Sequence, residues 1–153
     1  MDKNFTGQKS IGQFFGVISR NMYYYTNKQF ESMDLRHKEA MVLIHIYKNE
    51  NICQEDLVKI LKKEKAEIAK IIKKLIAKDY VYKIKDQKDK RIHRLHLTKK
   101  FFDIKDDIVK ILKNNSKILS KNLTDEELES LFEILKKVSK NIVLEANKIK
   151  EQG

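Results

Sequence analysis

The chain has 153 residues, no proline and four glycines, and its net charge is +11 with 36% charged and 41% hydrophobic residues. This length gives one domain with a real core, and the scarcity of glycine and proline argues against folds with many tight turns, such as β-sandwiches and dinucleotide-binding sheets. No apolar run approaches the roughly 18 residues of a membrane span, and the single cysteine, Cys53, cannot form an internal disulfide. We therefore expect a mainly helical, cytoplasmic protein without membrane association.

Apolar residues recur at helical spacing through the first half of the chain. A stripe that begins at Ile11 predicts a long first helix ending near Phe30, and three shorter helices are predicted over residues 37–48, 54–61 and 65–78. The predicted inward residues of the three are Ala40, Met41, Leu43, Ile44 and Tyr47; Leu57, Ile60 and Leu61; and Ile68, Ile71, Ile72, Leu75 and Ile76. The predicted outward residues of the last are Lys70, Lys73, Lys74 and Lys78.

After these helices the spacing of apolar residues changes to the two-residue period of a β-strand. Val81–Lys85 and Arg91–Thr98 alternate in this way, and the aspartate-rich segment 86–90 between them is suited to a turn. The sequence therefore predicts a β-hairpin.

The last third of the chain returns to helical spacing, first from Phe101 to Leu119 and then beyond Leu123. Thr124 followed by Glu127 is the capping-box pattern of a helix start. Two long helices are therefore predicted after the hairpin.

Positive charge is concentrated in the middle of the chain. Residues 59–100 contain 16 Lys and Arg against five Asp and Glu, so this segment carries the whole excess of +11. A solvated lysine face is one interpretation, but the confinement of the excess to one block favours a polyanionic partner. In a helix-turn-helix the second helix enters the DNA major groove, and a hairpin that follows it can reach the minor groove or the phosphates.

The predicted fold is mainly α with a small β-hairpin wing: a winged helix-turn-helix flanked by long N- and C-terminal dimerisation helices. Within the single chain we assign residues 35–100 to the DNA-binding core, and 8–32 and 101–150 to dimerisation. The flanking apolar stripes exceed what one small winged domain can cover, so we expect a homodimer that presents two recognition helices about 34 Å apart. These stripes include Ile11, Phe14, Phe15 and Ile18, and Leu131, Leu135, Val138 and Ile142.

The segment 86–98, DQKDKRIHRLHLT, resembles the wing of the MarR family (multiple antibiotic resistance regulators), which has an Asp, then Asp-x-Arg at the tip, then an alternating strand closing in Leu-Thr. The resemblance covers essentially the whole chain in element order and length. It implies that Arg91 enters the minor groove and that Asp89 orients its guanidinium. Asp79 and Phe101 stand where the family often has glycine, and the recognition helix begins with charged rather than small hydroxyl residues, which leaves the operator sequence open.

The candidate DNA-binding residues lie in the basic helix or the hairpin: Lys65, Ala66, Lys70, Lys74, Lys85, Lys88, Asp89, Lys90, Arg91 and Arg94. An ordinary surface salt bridge is the alternative interpretation of the Asp89–Arg91 pair, and a solvated face is that of the lysines. Glu67 could accept from a cytosine amino group, repel wrong sequences or pair with a lysine. Arg94 could bind a phosphate or lay its stem along the strand.

Catalytic and metal chemistry are not indicated. His93 and His96 are three residues apart on a strand and point to opposite faces, so we expect no metal site. The sequence has no glycine-rich phosphate loop and no nucleophile–base motif, so we expect neither enzyme activity nor a cofactor. Cys53 stands at a predicted helix N-terminus, which favours a reactive thiolate, but a short buried connector favours an unreactive core residue, which we expect.

The sequence thus predicts a transcriptional regulator that binds a pseudo-palindromic double-stranded DNA operator. We expect this regulator to be a repressor that responds to a small molecule. The resemblance places such effectors between the first, second and fifth helices, where Tyr23, Tyr24 or His37 could lie, although core or surface roles also explain these residues. The alternatives are a non-specific architectural DNA-binding protein and a protein-interaction module that has lost DNA binding, against which the intact wing argues. The ratio of operator to random-DNA affinity separates the first two.

Overall fold

Six α-helices and one antiparallel hairpin make up residues 10–151, the part of the chain that the computed structural model describes. In chain order they are α1 (Ile11–Phe30), α2 (His37–Lys48), α3 (Gln54–Leu61), α4 (Lys65–Ala77), β1 (Val81–Lys85), β2 (His93–Leu97), α5 (Lys99–Ser120) and α6 (Asp125–Glu151), with a short 3₁₀ turn at Glu31–Met33. The predicted mainly α fold with a hairpin wing is confirmed. A first compact unit ends at Asn115 and a second begins at Ser116. Positions 8 and 9 of the predicted N-terminal segment lie outside the described residues.

The core of the first unit is built around α2, against which α1, α3, α4 and β2 all pack. The buried residues of α2 are Glu39, Ala40, Val42, Leu43, Ile44 and Ile46. Val42 and Ile46 were not predicted to be inward; they are buried because neighbours on several sides cover more than one stripe of a central helix. The prediction that Tyr47, Ile60 and Ile76 face inward is wrong, since all three are exposed. Each is the second-to-last residue of its helix, where the packed face ends.

Four residues in the left-handed region turn the described part of the chain, and none is a glycine: Asp34, Asn51, Lys62 and Asp79. Asp79, with φ of 61°, directly follows α4 and its C-cap. Its N–H donates to the carbonyl of Ile76 at 3.0 Å, and its own carbonyl accepts from Thr98 Oγ1 at 2.7 Å. Asp79 therefore adopts the left-handed conformation after this helix, at the position where the resemblance led to an expectation of glycine.

The free energy of unfolding of Asp79→Gly should exceed that of Asp79→Ala by about 1 kcal/mol. A Cβ strains the folded chain in the left-handed region, and this cost is larger than the entropy that glycine adds to the unfolded chain. The unsubstituted protein should lie between them, since Asp tolerates this conformation better than Ala. Urea titrations of the three proteins at one concentration measure the order. Equal stability of the two variants would contradict a backbone cost at this position.

The hairpin is tied to the rest of the first unit along one edge. β2 begins at His93 rather than at the predicted Arg91, because Arg91 and Ile92 belong to the turn. On the edge away from β1, the N–H of Leu95 donates to the carbonyl of Ile52 at 2.9 Å in the connector between α2 and α3. This bond fixes the base of the wing against the helix-turn-helix.

Buried polar side chains lie between α1, the start of α2 and α5 in the first unit. Asn115 Nδ2 donates to Thr26 Oγ1 at 3.0 Å, and Gln29 Nε2 donates to Asn115 Oδ1 at 3.1 Å. Asn27 Oδ1 accepts from the N–H of His37 at 2.8 Å. Pairing makes the burial of these groups tolerable. The spacing of apolar residues does not reveal them, because it carries no information about which polar side chains are buried.

The predicted capping box before α6 is confirmed in the second unit. Thr124 Oγ1 accepts from the N–H of Glu127 at 3.2 Å, and Glu127 Oε2 accepts from the N–H of Thr124 at 2.9 Å. No residue of α6, which lies wholly within the described part, is buried, and Ile142 is 65% exposed. In the first unit the apolar stripe of α1 is likewise open, with Phe14 58% exposed. Among the described helices, none is long and apolar enough to cross a membrane.

Candidate nucleic-acid interface

The helix-turn-helix consists of α3 and α4. Lys62, with φ of 50°, ends α3 in the left-handed region, and α4 begins three residues later. The residues that α4 buries are Ile68, Ile71, Ile72 and Leu75. Burial of this face fixes the rotation of α4 about its axis, so the opposite face stays open. The predicted interface residues on it, Lys65, Ala66, Lys70 and Lys74, are all exposed.

Glu67, near the start of α4, is paired with lysines from other segments. Its Oε1 accepts from Lys38 Nζ of α2 at 2.6 Å, and Lys63 Nζ lies 3.7 Å from Oε2. The hydrogen bond from Lys38 holds the pKa of Glu67 below its usual range. Of the three interpretations of Glu67, lysine pairing is confirmed. The pairing also directs the two ammonium groups toward a carboxylate.

Lys78, at the other end of α4, does not face outward as predicted. Its Nζ donates to Glu39 Oε2 at 3.0 Å and to the carbonyl of Asp34 at 2.6 Å. Glu39 has only 4% of its side chain exposed and also accepts from the N–H of Arg36. A buried carboxylate requires a charged partner, and Lys78 supplies it. The N-terminal turn of α2 therefore holds α4 near both of its ends.

The tip of the wing is preformed by Asp89 and Arg91. Asp89 Oδ1 accepts from Arg91 Nε at 3.0 Å and Oδ2 accepts from Nη2 at 2.9 Å, while Oδ1 also accepts from the N–H of Arg91 at 3.0 Å. The guanidinium lowers the pKa of Asp89, so the carboxylate stays charged at neutral pH. The Arg91 side chain is 90% exposed. The geometry has Asp89 orienting an open guanidinium, as the resemblance implies.

Arg94 lies at the base of the wing, where its guanidinium is engaged within the protein. Arg94 Nε donates to Asp86 Oδ2 at 2.7 Å and Nη1 donates to the carbonyl of Asn51 at 2.8 Å. Asp86 Oδ1 accepts from the N–H groups of Lys88 and Asp89. The bond from Asp89 N–H and the Arg94 guanidinium lower the pKa of Asp86 to about 2. The other predicted wing cations, Lys85, Lys88 and Lys90, are exposed.

Sequence reasoning missed Lys38, Asn51 and the structural part that Asp86 plays. Lys38 is far from Glu67 in sequence, and Asn51 contributes a backbone carbonyl, which no side-chain pattern reveals. Asp86 had a signal, because an aspartate that opens a turn commonly accepts from the backbone N–H groups that follow it. All ten predicted interface residues lie in the first unit, and their contact with nucleic acid remains a prediction.

The histidines do not assemble into a metal site within residues 10–151, where no group of three His, Cys, Asp or Glu could hold a metal ion. His96 instead stacks on Tyr82, with ring centroids 5.4 Å apart. His45 is half-buried. His37 is half-buried with a lowered pKa caused by burial, and its Nδ1 has no hydrogen-bond partner among the described residues. Tyr23 and Tyr24 are exposed.

Cys53 is the N-cap of α3 and is buried, as expected of a core residue. Its N–H donates to Asp56 Oδ2 at 2.9 Å. Burial is the main cause of a raised thiol pKa, and a side-chain hydrogen bond with Asp56 adds to it. Burial and the nearby carboxylate thus outweigh the helix N-terminus, which by itself would favour the thiolate.

Alkylation of Cys53 should be slow at neutral pH, and its rate should reach half of its maximum above about pH 8.5, the pKa of an ordinary thiol. The reason is that only the thiolate reacts, and a raised pKa leaves little thiolate at pH 7. Iodoacetamide labelling across pH measures this, with the urea-unfolded protein as control. A midpoint below that of the unfolded protein would contradict the inference, as would peroxide-sensitive DNA binding that Cys53→Ser abolishes.

The chain resembles known regulators in both sequence and fold. The model of the MarR family matches residues 33–92. The chain is 29% identical over 127 residues to the HTH-type transcriptional regulator YybA of Bacillus subtilis, covering 83% of this chain and 85% of that protein. A MarR protein from Peptoclostridium difficile is 30% identical with a TM-score of 0.83, covering 93% of each chain. A MarR family transcriptional regulator from Listeria monocytogenes, solved with 26-mer DNA, is 28% identical with a TM-score of 0.80, covering 94% of this chain and 96% of that one.

Proposed function

Because this chain belongs to the MarR family of transcriptional regulators, we propose that it regulates transcription by sequence-specific binding to double-stranded DNA. The observation that carries the proposal is the preformed tip of the wing, where Asp89 holds an exposed Arg91 guanidinium in place. The similar Listeria regulator was solved with DNA, which supports the same partner here. The two parallel bonds and the third from the backbone hold the guanidinium more firmly than a single surface ion pair would.

The two parts of the interface have different roles in this proposal. The open face of α4 enters the major groove, where Lys65 and Ala66 in its first turn lie nearest the base edges and Lys70 and Lys74 follow toward the phosphates. The wing reaches the adjacent minor groove through Arg91, because a narrow A·T-rich groove has enhanced negative potential. The remaining wing lysines, Lys85, Lys88 and Lys90, contact phosphates.

The protein should be a homodimer in solution, because the apolar faces of α1 and α6 are exposed in the single chain and two copies can bury them. A two-fold axis then presents two α4 helices to a pseudo-palindromic operator. Light scattering at micromolar concentration should give twice the 18.2 kDa of one chain. Charged substitutions at Phe14 or Ile142 should shift the mass toward that of the monomer. A stable monomer of the unsubstituted protein would contradict the expectation.

Selection of bound fragments from a genomic DNA library tests the function directly. A sequence-specific regulator enriches a few related sequences, and its affinity for them should exceed that for random DNA by about 10³-fold or more. The non-specific architectural alternative predicts a ratio near one. Titration at several salt concentrations then counts the phosphate contacts. The salt slope, which is the fall in the logarithm of the binding constant with the logarithm of the salt concentration, is about 0.9 per contact.

We further infer that the regulator works in the cytoplasm as a repressor whose operator affinity changes when a small molecule binds. In the proposed homodimer the α4 helices of the two copies are linked. A ligand that alters the spacing between them would change the fit of the dimer to both half-sites of the operator. A reporter gene placed behind the selected operator gives the test. Repression predicts that expression rises when the gene for this chain is deleted, and activation predicts that it falls.

A further inference from the structure

The Arg94 guanidinium joins three separate segments at the base of the wing. Through Asp86 it is bonded to the turn that leads to the tip, and through the carbonyl of Asn51 it is bonded to the connector between α2 and α3. Arg94 itself belongs to β2, and its backbone forms an antiparallel β-bridge with that of Cys53, the N-cap of α3. The side chains of Arg94 and Asp86 are 27% and 18% exposed, in contrast with 90% for Arg91.

Asp86 links this base to the tip. Its Oδ2 accepts from Arg94, whereas its Oδ1 accepts from the N–H of Lys88 at 2.8 Å and that of Asp89 at 3.0 Å. Asp89 is the residue that holds Arg91. A continuous series of bonds therefore runs from the helix-turn-helix connector to the exposed guanidinium at the tip.

The hairpin needs such a support. Its two strands have five residues each, and an isolated two-stranded hairpin is marginally stable in water. A groove contact depends on placement, because a side chain held loosely loses both its geometry and its entropic advantage. Without a second attachment, thermal motion of the hairpin would spread the position of Arg91 relative to α4.

We propose that Asp86 and Arg94 are a pair of positioning residues that set the reach of the wing relative to α4, and that Arg94 does not bind a phosphate. This inference rests on the proposed function, since the reach of the wing matters only where the wing and α4 bind one DNA site. It assigns Arg94 a role other than the phosphate contact that its charge suggests. Specificity, rather than general affinity for DNA, should depend on the pair.

Substitutions that change charge in opposite directions give the decisive experiment. Asp86→Asn retains Oδ1 for the two turn N–H groups but presents an amide donor to Arg94, and Arg94→Gln removes the other partner. Positioning predicts that each variant weakens operator binding by about tenfold, and that the double variant is no weaker than either one. Affinity for random DNA and the salt slope for operator binding should not change.

A phosphate contact predicts a different pattern. Arg94→Gln would then lower the salt slope by about 0.9 and weaken binding to all sequences, whereas Asp86→Asn would strengthen binding by removing a negative charge. Lys88→Gln, in the same exposed turn, is the matched control for a phosphate contact. It should lower the salt slope by about 0.9 and weaken binding to all sequences alike. Arg94→Lys keeps the charge but not the planar fork, so it should retain affinity under the phosphate model and lose it under positioning.

Amide hydrogen exchange in the protein without DNA provides a second readout. The amides of Lys88 and Asp89 should exchange faster in Arg94→Gln than in Lys90→Gln, with the helices unaffected. Unchanged exchange together with a lowered salt slope would overturn the proposal. If the unsubstituted protein shows no preference for any sequence, the proposed function fails, whereas a ratio of operator to random-DNA affinity that is undiminished in both single variants refutes the positioning pair alone.

Discussion

Arg91→Ala is expected to weaken operator binding by roughly 5- to 150-fold, the range that one good groove contact gives. The exposed guanidinium is already oriented by Asp89, so little ordering is required when it enters the minor groove. The loss should be greatest for operators with A·T-rich flanks, where the groove is narrow and its potential most negative. Binding assays on A·T-rich and G·C-rich versions of one operator measure this dependence.

Asp89→Ala distinguishes an oriented arginine from a basic patch. On charge alone, the loss of an acid beside DNA strengthens binding, but loss of the group that orients Arg91 weakens it. We expect weaker binding, with Lys88→Ala reducing affinity for all sequences alike. The pKa of Asp89 is depressed by Arg91, so this orientation is fully present above the ordinary pKa near 4 and is lost only at more acidic pH. The effect should therefore be equal at pH 6 and pH 8, and tighter operator binding by Asp89→Ala would refute the mechanism.

Lys78→Met is expected to lower the free energy of unfolding by roughly 3 kcal/mol, the low end of the range for breaking a buried ion pair. The substitution leaves the Glu39 carboxylate, 4% exposed, without its ammonium partner, and it also removes the bond to the carbonyl of Asp34. Lys78 is itself 22% exposed, which is why the low end applies. Urea unfolding at a fixed protein concentration measures the loss, since association also contributes to stability.

Two further variants isolate the cause of that loss. Lys73→Met, on the open face of α4, removes the same charge from an exposed position and should change stability little. Glu39→Gln combined with Lys78→Met should recover part of the loss, because the buried charge is gone as well. A double variant no more stable than Lys78→Met would mean that packing of the lysine stem, rather than the unpaired carboxylate, sets the effect.

The amino-acid sequence by itself determined the elements of this fold and the candidate residues at the wing tip. The helices follow from apolar spacing, the start of α6 follows from Thr124 and Glu127, and the resemblance of the wing implied the Asp89–Arg91 pair, which joins two positions in one turn. Each of these features arises between residues a few positions apart. Local bonding and periodicity are therefore enough to specify them.

Only the tertiary structure decided which charged residues are open to a partner. Lys78 belongs to the basic block yet is bonded to Glu39, Arg94 is bonded to Asp86 and to the connector before α3, and Glu67 is paired with a lysine of α2. The partners that settle exposure are mostly distant in sequence. A lysine or arginine has the same charge whether it faces solvent or a buried carboxylate, so sequence pattern cannot separate the two; packing brings the carboxylate within reach and the cost of leaving it unpaired selects the contact.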